Sequence, residues 1–405
     1  MDRNLKITIL GDILCDFEMS KRLSLYQNPQ GQYDFHSVFA PLQPFLAPSD
    51  IVIANLETPI SIDNQNLTNS QWQFFSPFEF AQAVHNCGVK CVSTANNHCL
   101  DRGISGIEST INSLDKIGLY HFGTRLPSQA AKPFTYSFAG VKLGLLAFTY
   151  GTNAVSNHEY LNWKNHRIVD LLQEQEGWFD KWNLWKKYAQ KRPGGRVARL
   201  YQKASHQLHP ENVNLEWFEQ HSFDFYRKHL AREQIKHLKQ EKCDLILAQI
   251  HVGGQYNERP SPYTKNTVSW FLNQGCNVVV GNHEHVIHNF DLRNNTMQIG
   301  TYAIGNCLGS AGTFHPPYDR CADHSIALHL YLDTDTKQIS KYTFSVLQTV
   351  KNADGTLCVW PSFDYLQFCT LKEKEKQTEQ LLKAAELFTG NHHDTIKSEY
   401  LIFVS

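Results

Sequence analysis

The stretch Lys90-Cys-Val-Ser-Thr-Ala-Asn-Asn-His-Cys-Leu-Asp-Arg-Gly103 brings amides, an imidazole and a carboxylate together at Asn96, Asn97, His98 and Asp101. The apolar run Val89–Val92 before them reads as a buried strand, and the carboxyl end of such a strand is where open α/β sheets place their chemistry. An amide oxygen there can bind a metal ion while a neighbouring imidazole moves a proton. A simpler reading makes Asn96 and Asn97 turn residues and Asp101 the cap of the helical stretch that follows. Repetition favours chemistry. Four more strand-like runs close on ligand-type side chains: Asp12, Glu57, His251 and the pair His283 and His285. Any one of these histidines taken alone is more often satisfied or exposed than functional. Taken together, imidazoles, carboxylates and an amide suit one or two borderline divalent ions such as Mn²⁺, Zn²⁺ or Fe²⁺.

The elements that must position these residues alternate along the chain. Strands are expected at Lys6–Asp12, Asp50–Glu57, Val141–Thr149, Cys243–His251, Cys276–His285, Met297–Asn306, Ser325–Leu332 and Lys341–Val350. Apolar spacing predicts helices over Ile104–Ile117, with Gly118 as C-cap, and over Leu230–Glu241, Val268–Gln274 and Leu371–Thr389. The last is charged and amphipathic and is assigned a packing role. This alternation is that of an α/β protein.

Between 154 and 230 the texture changes. Lys181–Lys203 holds eight basic residues and no acidic one, interleaved with Trp182, Trp185, Tyr188 and Tyr201 and broken by Pro193-Gly194-Gly195. We read 154–230 as a basic, aromatic helical insertion over the face where the strands end. It suits an anionic substrate by focusing positive potential above the site. A solvated amphipathic helix with its tryptophans packed on the body explains the same residues equally well.

Composition sets the outer bounds. A chain of 405 residues with net charge −1 has room for a large core and is not a generally basic nucleic-acid binder. No apolar run approaches the roughly 20 residues of a membrane-spanning helix. Ten scattered cysteines without a Cys-x-x-Cys pair, and a first segment that runs straight into a strand, give an expectation of a reducing cytoplasm.

Gly11-Asp12, Asn55-Leu-Glu57, Asn96-Asn-His98 with Asp101 and Gly103, His251-x-Gly with Tyr256, Gly281-x-His-x-His285 and Tyr302-Ala-Ile-Gly-Asn306 stand in one order. That order resembles the motifs of the bacterial CapA-type poly-γ-glutamate (capsule) biosynthesis proteins, relatives of the calcineurin-like metallophosphoesterases. The resemblance covers roughly 5–150 and 240–350. It implies a four-layer α/β/β/α sandwich spanning 1–350, interrupted by the insertion, with a strand and helix extension over 351–405.

Carried over by position, the resemblance makes Glu57 a bridging carboxylate. Asn97, His251 and His283 complete one metal site, and Asp12 and His285 belong to the other. His98 becomes the group beside the leaving oxygen, oriented by Asp101. Asn55, Arg102 and Tyr256 fall on the substrate side, although Arg102 also reads as an ordinary solvated arginine. Tyr150, Asn153 and Asn306, each at a strand end, read as pocket-lining residues or as ordinary turn residues. Glu284 is expected to support the histidine pair and His288 to be structural. The chain departs from the phosphoesterase pattern at Asp12-Ile-Leu14, where Asp-x-His is usual, and in using Glu57 where a shorter Asp is usual. Gln255 stands where many CapA-type members carry an acidic residue. The implied activity is a metal-dependent hydrolase acting on a phosphoester or a γ-glutamyl-type anionic substrate. The alternative is an accessory protein of polymer synthesis that binds an anionic chain without catalysis.

Overall fold

Side-chain alternation along β1 (Asn4–Ile13) already demands two covered faces, because nearly every residue from Leu5 onward is buried. The computed structural model describes residues 4–67, 73–157, 159–161, 165–172, 225–309 and 321–404. After β1 come β2 (Ile51–Leu56), β3 (Cys91–Ser93), β4 (Tyr120–Phe122), β5 (Phe134–Phe138) and β6 (Val141–Thr149). The chain continues through β7 (Leu245–His251), β8 (Val278–Asn282), β9 (Phe290–Arg293), β10 (Gln298–Thr301) and β11 (Asn306–Leu308). It closes with β12 (His324–Asp333), β13 (Ile339–Lys351), β14 (Leu357–Pro361) and β15 (Tyr400–Val404).

Two sheets result. One has nine strands in the order β14-β13-β12-β1-β2-β3-β4, with β11 beside β1 and β15 beside β13; the other has six in the order β5-β6-β7-β8-β10-β9. Ile7 and Ile9 of β1, Ile53 of β2, Leu145 of β6 and Leu247 of β7 meet in the apolar layer between the sheets. Residues of opposite parity face outward. Val52 and Leu56 pack with Phe80 and Val84 of the Phe78–Asn86 helix. On the far side Leu146 and Ile246 pack with Ile235 and Leu238 of the Phe225–Gln240 helix and with Phe271 of the Pro262–Asn273 helix. The layers therefore run α/β/β/α, as the sequence leads one to expect. β1 to β4 run parallel, as do β6, β7, β8 and β10, so their carboxyl ends gather the residues that follow them.

Two expectations need correction or refinement. Met297–Asn306 is not one strand. Gln298–Thr301 pairs with β8 in the six-stranded sheet, Asn306–Leu308 belongs with β1 in the other, and Gly305 turns the chain between them at φ 74°. Most of the expected insertion, Lys181–Lys203 included, lies outside the described residues. Its described part at 165–172 is packed into the body: Val169 and Leu171 are buried, and bridges join Thr124 to Val169 and Thr149 to Leu171. Arg125 pairs with Asp170, whose other oxygen accepts from Gln234 at 3.1 Å, tying this segment to the Phe225–Gln240 helix.

The Leu371–Thr389 helix matches its expected span, with a Thr370/Glu373 capping box at one end and left-handed Gly390 at the other. Phe388 lies on Phe344 of β13, ring centres 4.9 Å apart. Among the described residues no helix is long and apolar enough to cross a membrane.

Candidate metal centre

Strand ends build the centre from both sheets. β1 breaks register between Ile9 and Asp12, so that Asp12 stands opposite both Asn55 of β2 and Asn306 of β11. Only glycine fits before it, because a Cβ on Gly11 would lie 1.9 Å from the Gly305 carbonyl oxygen. Asp12 is then held from two directions: Asn55 Nδ2 donates to Oδ1 at 2.7 Å and the His283 backbone N–H donates to Oδ2 at 3.0 Å.

His251 ends β7 and is the hub of the first group. Its Nε2 stands 2.7 Å from Asn97 Oδ1, 3.1 Å from His283 Nδ1 and 3.2 Å from Glu57 Oε1. Two donors each about 2.1 Å from one ion, at tetrahedral or octahedral angles, stand roughly 3.0–3.4 Å apart. The cluster has the spacing of a coordination shell. Glu57, His251 and His283 form one buried trio, and Asp12, Glu57 and His285 form a second, so Glu57 is common to both. His285 Nδ1 lies 3.7 Å from Asp12 Oδ2 and 2.8 Å from Asn306 Oδ1.

The electrostatics agree with this reading. Burial, reinforced by the neighbouring Glu57, pushes the Asp12 carboxyl up to about 7. Burial also raises Glu57, while it lowers His251 to about 3 and His283 well below its usual range. Carboxyls pushed toward their acid forms beside imidazoles held neutral form a set that suits a divalent cation, since ligation needs the carboxylates ionised and the imidazoles neutral. Neither oxygen of Glu57 accepts a hydrogen bond.

The turn carrying the histidine pair is strained. His283 and His285 adopt φ of 89° and 56°, a conformation uncommon for side-chain-bearing residues. Glu284 between them is fully buried and anchors the turn, accepting from Thr264 Oγ1 at 3.1 Å and lying 3.3 Å from His288 Nδ1. Both expectations for Glu284 and His288 are consistent with this placement.

His98 sits beside the cluster. Its Nδ1 is 2.6 Å from Asp101 Oδ2, and its ring lies parallel to Phe74 at 4.0 Å. Asp101 is fully engaged: the Phe74 N–H also donates to Oδ2 at 2.7 Å, and Asn157 Nδ2 donates to Oδ1 at 3.0 Å. Burial disfavours a charged His98, but Asp101, then Glu57 and Asp12, outweigh it and raise its pKa.

The residues expected on the substrate side separate. Asn55 is buried beneath the centre, where its Oδ1 accepts from Ser93 Oγ at 2.8 Å, so it positions Asp12 instead of facing a ligand. Tyr150 lies over His283 with ring centres 4.6 Å apart, and Tyr256 over His285 at 5.6 Å. Asn306 turns its side-chain oxygen to His285. Arg102 is half-buried with its guanidinium 5.3 Å from the Phe75 ring, in a cleft of about 390 Å³ shared with Asp63, Asp101 and Glu159. Sequence reasoning missed Phe74 and Asn157. Neither belongs to a periodic run or a strand end, so no local signal marks them.

Fold and site together define an α/β sandwich with a buried histidine–carboxylate cluster able to hold metal ions. The family model for the bacterial capsule synthesis protein PGA_cap matches residues 6–310, and the chain belongs to that family. It is 23% identical over 315 residues to a capsule biosynthesis protein CapA of Bacillus anthracis, covering 77% of this chain and 61% of that protein. To a PGA biosynthesis protein CapA of Bacillus subtilis (strain 168) it is 21% identical over 314 residues, covering 77% and 65%. The match thus spans less than two thirds of either relative. A hypothetical protein from Thermus thermophilus superposes with a TM-score of 0.40 at 12% identity, covering 88% of this chain and 98% of that one, a likeness too low to argue from.

Proposed function

We propose that the protein is a metal-dependent hydrolase acting on an anionic phosphoester or γ-glutamyl-type substrate. The observation that supports this most directly is Glu57, a buried carboxylate without a hydrogen-bond donor, common to two trios of ligand-type residues. A carboxylate left so in the interior is costly unless a cation takes the place of the donors. The residues present fit such an ion. Glu57, Asn97, His251 and His283 would hold one, and Asp12, Glu57 and His285 a second, weaker one, since Leu14 supplies no ligand. An ion bound there supplies Lewis acidity and a water that ionises near neutral pH.

The chain's own residues perform the remaining tasks. Asp101 accepts the Nδ1 proton of His98, which leaves Nε2 to give a proton to the departing oxygen or nitrogen. Phe74 covers one face of that ring and limits access of water. Ten cysteines, none of them in a disulfide, are compatible with the cytoplasm we propose as its location.

Elemental analysis of the purified protein, paired with hydrolysis of bis-p-nitrophenyl phosphate with and without Mn²⁺, tests the reading. One or more equivalents of metal per chain with chelator-sensitive turnover is the expected result. Metal without turnover on phosphodiesters or γ-glutamyl amides would favour the accessory, polymer-binding role. Absence of metal even after reconstitution would overturn the centre.

A further inference from the structure

β6 is a strand of the six-stranded sheet that contributes no ligand to either trio, yet the segment behind it touches three residues of the centre. Tyr150 lies over His283, Asn153 Oδ1 accepts from Asn97 Nδ2 at 3.3 Å, and Asn157 Nδ2 donates to both Asp101 Oδ1 and the Thr152 carbonyl, each at 3.0 Å. A ligand asparagine has two chemically unlike ends. Its oxygen can coordinate a cation and its NH₂ cannot, although the two have nearly the same shape. Which end faces the cluster is decided by what the other end finds.

We propose that Asn153 is a positioning residue that fixes the Asn97 amide with Oδ1 turned toward His251, and so sets the affinity of the centre for metal. The inference rests on the metal reading of the site and adds to it a residue outside both trios. Three observations support it. Asn97 is buried with Oδ1 2.7 Å from His251 Nε2, so an amide turned the other way would put at that position an NH₂ group, which cannot coordinate a cation. Asn153 meets the Asn97 NH₂ with its carbonyl oxygen, the acceptor that NH₂ requires. Its backbone is left-handed at φ 51°, a conformation that asparagine tolerates better than most residues and that places the side chain over Asn97. Asn157 fastens the same segment to Asp101, so one turn orients both the ligand amide and the partner of His98.

Two substitutions isolate the acceptor from the backbone. Asn153→Asp keeps a carboxylate oxygen toward Asn97 and tolerates the left-handed conformation. Asn153→Gly keeps the conformation and removes the acceptor. Titration calorimetry of each metal-free full-length protein with Mn²⁺ is the measurement, with circular dichroism to check folding. The expected result is an affinity about 10–100-fold weaker in Asn153→Gly, the usual cost of losing a partner of a metal ligand, and restored in Asn153→Asp. Equal affinity in the glycine variant and the wild type would overturn the positioning role and leave the metal centre standing. A wild type that binds no Mn²⁺ would overturn the centre and this role with it. Should Asn153→Gly fail to fold, Asn153→Ala, which also lacks the acceptor, is read against Asn153→Asp by the same criterion.

Discussion

His251 Nε2 stands 3.2 Å from Glu57 Oε1, in a pocket where both side chains are almost wholly buried and burial discourages either from carrying charge. Their electrostatic needs are opposite to those of a simple ion pair. The imidazole is held neutral and the carboxyl is pushed toward its acid form, so without a cation the pair contributes little attraction. A cation held by both, as proposed, would remove that conflict.

On the proposed reading, stability should depend on metal and on pH together. Burial pushes the Asp12 carboxyl up to about 7 in the fold, from an ordinary value of 3.8. A carboxyl raised in this way favours the folded state below the unfolded value, and that contribution is lost as pH rises through the folded one. In chelator, Asp12→Asn should therefore gain on wild type as pH climbs from 4 to 7, reaching roughly 2 kcal/mol, the order of an uncompensated buried polar group. Mn²⁺ should reverse the ranking by stabilising wild type more than the variant. Thermal melts across that range, with and without Mn²⁺, check both signs; parallel melting curves for the two proteins would contradict the assignment.

On the proposed reading, His98 and Asp101 should act on turnover more than on metal. Replacing His98 with Ala should lower kcat by about 10²–10⁴-fold, the span of a lost general acid, with Mn²⁺ affinity unchanged. Asp101→Asn removes the main group that raises the His98 pKa. As a general acid His98 works below its pKa, so the alkaline limb of the pH–rate profile should move to lower pH in Asp101→Asn. If His98→Ala lost metal instead, the division between ligand and acid would be wrong.

Far from the centre, Glu399 ties β15 to the sheet. Although burial alone would raise it, hydrogen bonds from Thr343, Tyr331 (2.6 Å) and Lys6 (2.9 Å) hold its carboxyl down at about 2. A depressed carboxyl stabilises the fold above its unfolded value near 4.5, and that contribution disappears as pH falls toward 2. Glu399→Gln should cost about 1–2 kcal/mol at pH 7, with little difference from wild type at pH 2–3. Urea unfolding at the two pH values measures it, and a constant difference would argue against the charged network.

Much of the centre is legible in the order of residues alone. Asp12, Glu57, Asn97, His251, His283 and His285 announce themselves because each ends an apolar run, and parallel strands bring such endings together whatever the connecting helices do. The α/β class follows from the same alternation. What only the tertiary structure decided is how those endings face one another. Asn55 reads as a ligand-facing residue, but the register of β1 on β2 turns its amide toward Asp12 beneath the centre. Met297–Asn306 reads as one apolar run, yet Gly305 sends its two halves into different sheets, a choice made by partners more than 100 residues away in one case and nearby in the other. Asn153, just beyond the end of β6, reads equally as a pocket residue or an ordinary turn residue, and only packing shows that it meets Asn97; Phe74 and Asn157 carry no such signal. Their side chains are ordinary turn or core types, and only contacts distant in sequence give them a role. Residue type and strand ending reveal what can bind; which atom points where is a property of packing.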